Sequence, residues 1–237
     1  KLRIVQPVSG SAVEHLDLLA GKVLTQILPL LTHRVNSGQE FIKKCLQPWV
    51  NNPQVSNHMV SFDVDNMYPT LPTCENAMNV LYQYLHHHRD SIDMLGFQPF
   101  HIVQFMRFVV YPTYATAGGQ FYRQTRGVGT GYHSSGAFSE IIIDFTYQQA
   151  LEATPKTHLP LYLATYVDDS NSLWKEEAHA RDFLSLLNNT WPTMNFTSEE
   201  PSGNKISFLD VQLTTTHDGI THELYQKPTH SGKYLPY

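Results

Sequence analysis

The stretch ATYVDDSNSLW, residues 164–174, sets two adjacent carboxylates, Asp168 and Asp169, between an apolar run ending at Tyr166 and Val167 and a second ending at Leu173 and Trp174. It reads as a strand over 160–167, a turn at Asp168-Asp169, and a returning strand. Aspartate is a common turn residue because its side chain bonds nearby backbone, so the pair alone has a plain explanation. A third carboxylate shifts the balance. In HMVSFDV, residues 58–64, Val60, Phe62 and Val64 alternate with Ser61 and Asp63. That is the two-residue period of a strand that ends by presenting Asp63. Three carboxylates at strand ends repel one another unless protonated or neutralised. A hard divalent cation such as Mg²⁺, held by one or two carboxylates and by substrate phosphates, is the usual neutraliser.

The remaining chain supplies the frame for these strands. Val13, Leu16, Leu19, Ala20, Val23, Leu24, Ile27 and Leu28 recur near a 3.6-residue period, which predicts an amphipathic helix within 11–35 that stops near Pro29. A short helix is predicted over 39–46, and a turn at 51–54. Past Pro69 and Pro72, the spacing of Cys74, Ala77, Met78, Leu81 and Leu85 predicts a helix with Thr73 as N-cap. Another helix is predicted over 98–110, followed by a hairpin turning at Gly118-Gly119. The glycine- and serine-rich run GVGTGYHSSG leads into a helix whose apolar face is Phe138, Ile141, Ile142 and Phe145. A helix over 176–189 and strands at 194–199, 205–214 and 219–226 follow, the last two joined at His217-Asp218-Gly219. His86, His87 and His88 fan around a helix about 100° apart and cannot converge on one ion. They read as a solvated helix end. Hairpins mixed with helices, without regular strand and helix alternation, predict an α+β fold in which an antiparallel sheet packs on helices.

Composition bounds the function. A content of 41% hydrophobic residues in 237 is enough to fill a sizeable core. The formal charge of −5, with 16 Lys and Arg against 21 Asp and Glu, runs against a broad electrostatic footprint on nucleic acid. Cys45 and Cys74 are too few and too far apart for a disulfide scaffold or a cysteine zinc site. No apolar run approaches the roughly 18 to 20 residues of a membrane span, and the opening has no signal-peptide pattern, so the chain reads as soluble. A start at Lys1 and an end inside a patterned stretch read as a fragment of something longer.

Clustered carboxylates that hold two divalent ions about 3.5 to 4 Å apart suit phosphoryl transfer, in which a 3′-hydroxyl is activated and a leaving pyrophosphate stabilised. Here the residues carry a family resemblance. FDVDNMYPTLP resembles the first palm motif of reverse transcriptases and YVDD their third, while QTRGVGTGYHSSGAFSEIIIDF resembles the loop and helix that support template and incoming nucleotide. SGNKISFLDVQL followed by ELYQKPTHSGKYL is similar to the reverse transcriptases of Penelope-like retroelements. The resemblance runs in the correct order from about Pro7 onward.

It implies a right-hand polymerase palm with part of the fingers: partial fingers and connecting helices over 1–57, a palm over 58–206 with a fingers-like insertion around 98–125, and a primer-grip-like hairpin leading to a thumb over 207–237. Asp63, Asp168 and Asp169 would be the catalytic metal ligands, joined by the main-chain carbonyl of Val64, with two Mg²⁺ ions or Mn²⁺ in their place. Tyr68 would be the steric gate that favours deoxynucleotides. Gln124, Gly127, Gly129 and Gly131 would line the nucleotide side, where glycines let backbone approach substrate. Lys205 would protonate the leaving group, or simply face solvent. Phe208, Leu209 and Asp210 would begin the primer grip, or the first two would be core. The implied partners are an RNA template, a DNA primer and deoxynucleoside triphosphates, and the implied location is intracellular and nuclear.

The chain departs from the family twice. The usual G-x-x-M-G-S-P-L-S-P is replaced by residues 127–136, which lack the methionine and both prolines. Gln6 stands before Pro7 where the fingers carry an arginine, leaving Arg3 or Lys1 to hold the triphosphate. A domesticated or decayed palm, kept as a nucleic-acid-binding or assembly module, is the rival reading. The intact carboxylates favour the enzyme, and the altered loop and negative charge favour the rival.

Overall fold

The computed structural model describes residues 8–50, 52, 58–111 and 114–226. The helix predicted within 11–35 is α1, Glu14–Thr25, followed by a 3-10 turn at Leu28–Leu30 around Pro29. The short helix forms as α2, Gly38–Phe41, where Ser37 Oγ accepts the Glu40 N–H as an N-cap. It continues as a π-helical turn, Ile42–Leu46. Residues 51, 53 and 54 of the turn predicted at 51–54, and the segments bearing Lys1, Arg3 and Lys-Pro-Thr-His, lie outside the described residues.

β1, His58–Val64, ends where Asn66 adopts a left-handed backbone with φ 52° and starts the single turn α3, Met67–Thr70. Asparagine tolerates that conformation better than most residues. Then come α4, Glu75–His88, and α5, Pro99–Val110. Cys74 rather than Thr73 occupies the N-cap of α4, and no side chain caps it. β2, Tyr114–Ala117, and the exposed β3, Gln120–Arg123, pair as the predicted hairpin. α6, Ser135–Ala153, and the hairpin of β4, Tyr162–Tyr166, and β5, Asp169–Trp174, follow. α7, Glu177–Thr190, leads to β6, Phe196–Glu199. The strand expected over 205–214 is broken at Leu209, whose φ is 56°, into β7, Lys205–Phe208, and β8, Val211–Thr216. β9, Gly219–Leu224, returns against β8 from a turn at His217-Asp218.

The strands make a four-stranded antiparallel sheet ordered β4-β5-β1-β6, a separate three-stranded sheet β7-β8-β9, and the two-stranded β2-β3 hairpin. The four-stranded sheet is covered on both faces. On one, Phe62 and Trp174 pack against Phe183 of α7 and join the main core with α1, α4, α5 and α6. On the other, Met59 and Leu173 meet a second core built from Phe41, Phe208, Leu213 and Ile220. Covering on both faces explains why β5, whose sequence is strongly polar, is buried after Asp169. Its hydroxyls and amide are satisfied inside the sheet: Ser170 Oγ donates to Phe62 O at 3.1 Å, Ser172 Oγ to Val60 O at 2.8 Å, and Asn171 Nδ2 to Ser61 Oγ at 3.1 Å.

α6 corrects the sequence reading most sharply. It is enclosed nearly all round, so Ser139, Glu140, Asp144 and Thr146 are buried with the apolar residues, while Phe145, expected on the apolar face, is only partly so. Ser139 and Thr146 donate back to the helix's own carbonyls, and Glu140 pairs with Arg34 at 2.6 Å. No helix among the described residues is long and apolar enough to cross a membrane.

Candidate active site

The carboxylates meet through strand register. β1 and β5 pair from His58 opposite Trp174 to Phe62 opposite Ser170, where the ladder ends, so Asp63 and Asp169 are the residues that directly follow and precede its last pair, and the charges of both reach the Tyr147 hydroxyl. Both aspartates are exposed, because the second core stops short of the strand ends. Asp168 belongs to the turn that precedes β5 and is half-buried. The turn is Val167-Asp168, one residue earlier than predicted, since Tyr166 and Asp169 already pair across the hairpin. Val167 has φ 56°, a conformation costly for a β-branched residue, on the order of 1–3 kcal/mol. A positive φ at that place in a two-residue turn matches the twist of the flanking strands. The hairpin's register therefore holds Asp168 at its tip.

Beneath the pair, the fully buried Tyr147 donates its hydroxyl to Ser170 Oγ at 2.7 Å. Burial holds this phenol above its ordinary range, opposed by the Ser170 bond and reinforced by the charges of Asp63 and Asp169. It stays a neutral donor. Val64 is buried opposite Phe196 at the end of β1. Among the described residues no group of three or more His, Cys, Asp or Glu side chains is placed to hold a metal ion, so Asp63, Asp168 and Asp169 are not gathered into a ready three-carboxylate site. The donor set is nevertheless all-oxygen and anionic, which fits Mg²⁺, an ion that commonly takes one or two carboxylates and completes its shell with water and substrate phosphates.

Tyr68 stands at the margin of the main core, half-buried. Its phenol is held above the ordinary range by burial first, then by the negative charges of Asp168 and Glu140. Its hydroxyl lies 3.9 Å from the position a Cβ would take on Gly136. The ring thus sits between the core, the Asp168 turn and the start of α6.

The glycine loop is fixed against α3 and α1. Gly127 has φ 74°, and a Cβ there would lie 2.6 Å from the main-chain carbon and oxygen of Pro69, so only glycine permits this approach. Val128 N–H donates to Tyr68 O at 2.8 Å, and Ser135 Oγ donates to Gly129 O at 2.9 Å. Gln124 turns its amide inward, donating to Arg126 O at 2.7 Å and to Val128 O at 3.3 Å. Gly129 is buried against the Tyr132 ring, and Gly131 is exposed.

Lys205 pairs with Glu223 of β9 at 3.5 Å, both well exposed. The Phe208 ring is core, 5.0 Å from the Phe41 ring, while Leu209 and the exposed Asp210 form the turn into β8. Asp210 covers Gly38, where a Cβ would collide with its carboxylate. Of the residues expected at the site, Asp63, Asp168, Asp169 and Tyr68 are brought toward one another, and Gly127 packs on the last of them. His86 and His87 are exposed at the end of α4 as expected.

Two residues around the site escaped the sequence reading. Asp17, fully buried on α1, accepts from His133 N–H at 2.7 Å, Ser134 N–H at 3.0 Å and Ser134 Oγ at 2.6 Å. It caps the start of α6 from another helix, where a negative charge is favourable. The available signal was an aspartate in register with Val13, Ala20 and Leu24 on an apolar face. Arg34, paired with Glu140, lies beside the hairpin where Val35 N–H donates to Thr165 O and Thr165 N–H to His33 O. No periodicity marks it.

No protein-family profile matches this chain, and no curated protein does. Among solved structures, apo telomerase from Candida tropicalis, truncated from its C-terminal domain, aligns with 90% of the chain at TM-score 0.62 and 17% identity. Telomerase from Candida albicans in complex with a TWJ fragment of telomeric RNA aligns with 88% at 0.61 and 15%. The BmCPV RNA-dependent RNA polymerase at its elongation state aligns with 90% at 0.61 and 13%. The fold is that of a polymerase palm with part of the fingers. The chain spans 45%, 38% and 20% of these three proteins.

Proposed function

We propose that the chain is the palm of an RNA-directed DNA polymerase of the Penelope-like type, which extends a DNA primer on an RNA template. The observation that supports this reading is the β1-β5 ladder, whose last pair, Phe62 opposite Ser170, is flanked by Asp63 on one strand and Asp169 on the other, with Asp168 on the adjoining turn. These three carboxylates, with the Val64 carbonyl, would hold Mg²⁺ or Mn²⁺. Two such ions, when bound with substrate, supply activation of the 3′-hydroxyl and stabilisation of the leaving pyrophosphate. The chain's own residues supply position. Loop 127–131, held against α3 and followed by the Asp17-capped start of α6, presents backbone toward the nucleotide. Tyr68 bounds the sugar beside Asp168 and disfavours a 2′-hydroxyl by its bulk. The Leu209-Asp210 turn meets the primer, and Arg3 or Lys1 the triphosphate. Copying into a chromosome would give the protein a nuclear place of action.

A second reading, a palm that binds nucleic acid without catalysis, draws on the Lys205–Glu223 pair and on the inward-turned Gln124, which leave two expected nucleotide contacts engaged elsewhere. Primer extension by the full-length protein on an RNA template separates them. The first reading requires Mg²⁺-dependent incorporation of deoxynucleotides, and the second requires template binding with no incorporation.

A further inference from the structure

From Met94 to Ser139 the chain has no Asp or Glu and carries Arg107, Arg123 and Arg126, in a protein whose formal charge is −5. Arg107 is paired with Glu75 at 2.5 Å, whereas Arg123 and Arg126 are exposed. Within this acid-free segment projects the β2-β3 hairpin, all four residues of β3 being exposed. Phe121 is 82% exposed, Tyr114 58% and Tyr122 52%. The register pairs Tyr114 with Arg123, and Phe121, two residues before Arg123, lies on that same face. Tyr122 occupies the opposite face, its hydroxyl donating to Gln120 Oε1 at 3.2 Å. None of these three rings belongs to either core. The hairpin runs through Gln124 directly into the glycine loop that packs on Tyr68.

We infer that the Tyr114-Phe121-Arg123 face of the hairpin is a stacking surface for an unpaired RNA strand, the bases lying on the rings and the phosphates on Arg123 and Arg126. Ring faces with an arginine beside them, on a stretch of chain free of Asp and Glu, are the chemistry that holds single strands without regard to sequence. A duplex keeps its base faces internal and gains nothing from the rings. That the strand is a template rests on the polymerase reading, but the surface does not. The local positive charge answers the acidic composition of the whole chain, because an electrostatic footprint need only be local to steer a phosphate backbone.

The test is fluorescence anisotropy of the full chain with a labelled oligouridine of about 15 nucleotides, in EDTA and without nucleotides. The parent chain should bind. Phe121→Ala should weaken binding about tenfold with an unchanged unfolding midpoint, and Phe121→Trp should restore it. Arg123→Gln should lower the slope of log affinity against log salt by about one. Duplex RNA of the same length should compete poorly. Equal affinity in Phe121→Ala and the parent, or no binding by the parent, overturns the proposal. So does an Phe121→Ala variant that loses self-association while keeping RNA affinity, since the face would then be a protein contact. Asp168→Asn should bind like the parent, so failed extension and failed strand binding remain separate results.

Discussion

Gly127→Ala tests whether the glycine loop is built against α3 as the structure has it. Gly127 stands at φ 74°, where an alanine loses on the order of 1–2 kcal/mol. The added Cβ would sit 2.6 Å from the Pro69 carbonyl carbon and oxygen. These are backbone atoms with no rotamer to change, so the loop must lift. Lifting breaks the 2.8 Å bond from Val128 N–H to Tyr68 O and leaves buried groups unpaired, about 1–3 kcal/mol more. The sum is about 3 kcal/mol. Gly118→Ala is the control, since its φ is also positive, at 57°, but nothing lies within 4 Å of an added Cβ. It should lose only the backbone contribution, about 1 kcal/mol. Guanidinium unfolding of both variants beside the parent, with a shared slope, reads the difference. If the two variants fall within about 0.5 kcal/mol of each other, the loop does not rest on α3 and the placement of Tyr68 beside it is wrong.

Asp17→Asn should cost about 1–3 kcal/mol in the same assay, because it weakens three bonds at the start of α6 and removes a favourable charge there; a neutral result would contradict the cap. Asp144 is held above its ordinary value of 3.8 chiefly by burial, against the Tyr84 bond, the His33 charge and the Gln148 bond. A raised carboxyl stabilises fully below its unfolded value and loses that contribution as pH rises through the folded one, so Asp144→Asn should gain on the parent as pH climbs from 3.8. A flat difference between the two stability profiles would remove the buried charge from the account. Tyr68→Val should raise ribonucleotide incorporation relative to deoxynucleotide, measured as a ratio of kcat/KM values, and an unchanged ratio would falsify the gate.

The sequence made the sheet legible where polarity alternates against solvent. Val60, Phe62 and Val64 do face the main core, and Asp63 emerges at the strand end. It was less legible where both sides are covered. β5 carries Ser170, Asn171 and Ser172 in the interior, since neighbouring strands satisfy them, and periodicity cannot register that. α6 fails the amphipathic reading for the same reason: an enclosed helix has no solvent face to reveal its orientation. The hairpin turn shifted by one residue because a valine adopted the left-handed conformation that turn chemistry assigns to glycine or asparagine. The hairpin over 211–224 was readable from Asp218-Gly219, whereas the break at Leu209 had no glycine to announce it. Asp17 and Arg34 act through partners more than 100 positions away, at Ser134 and Glu140. Local spacing carries no trace of such contacts.

On the proposed reading Asp63, Asp168 and Asp169 form one catalytic group on a polymerase palm. Primer extension on an RNA template with deoxynucleotides and Mg²⁺, comparing the full-length protein with its Asp168→Asn variant, tests it most directly. The substitution removes a negative charge at nearly constant volume on a half-buried turn, so the unfolding midpoint should stay near that of the parent. Extension by the parent and none by the folded variant is the predicted result. Extension of equal rate in both would contradict the assignment.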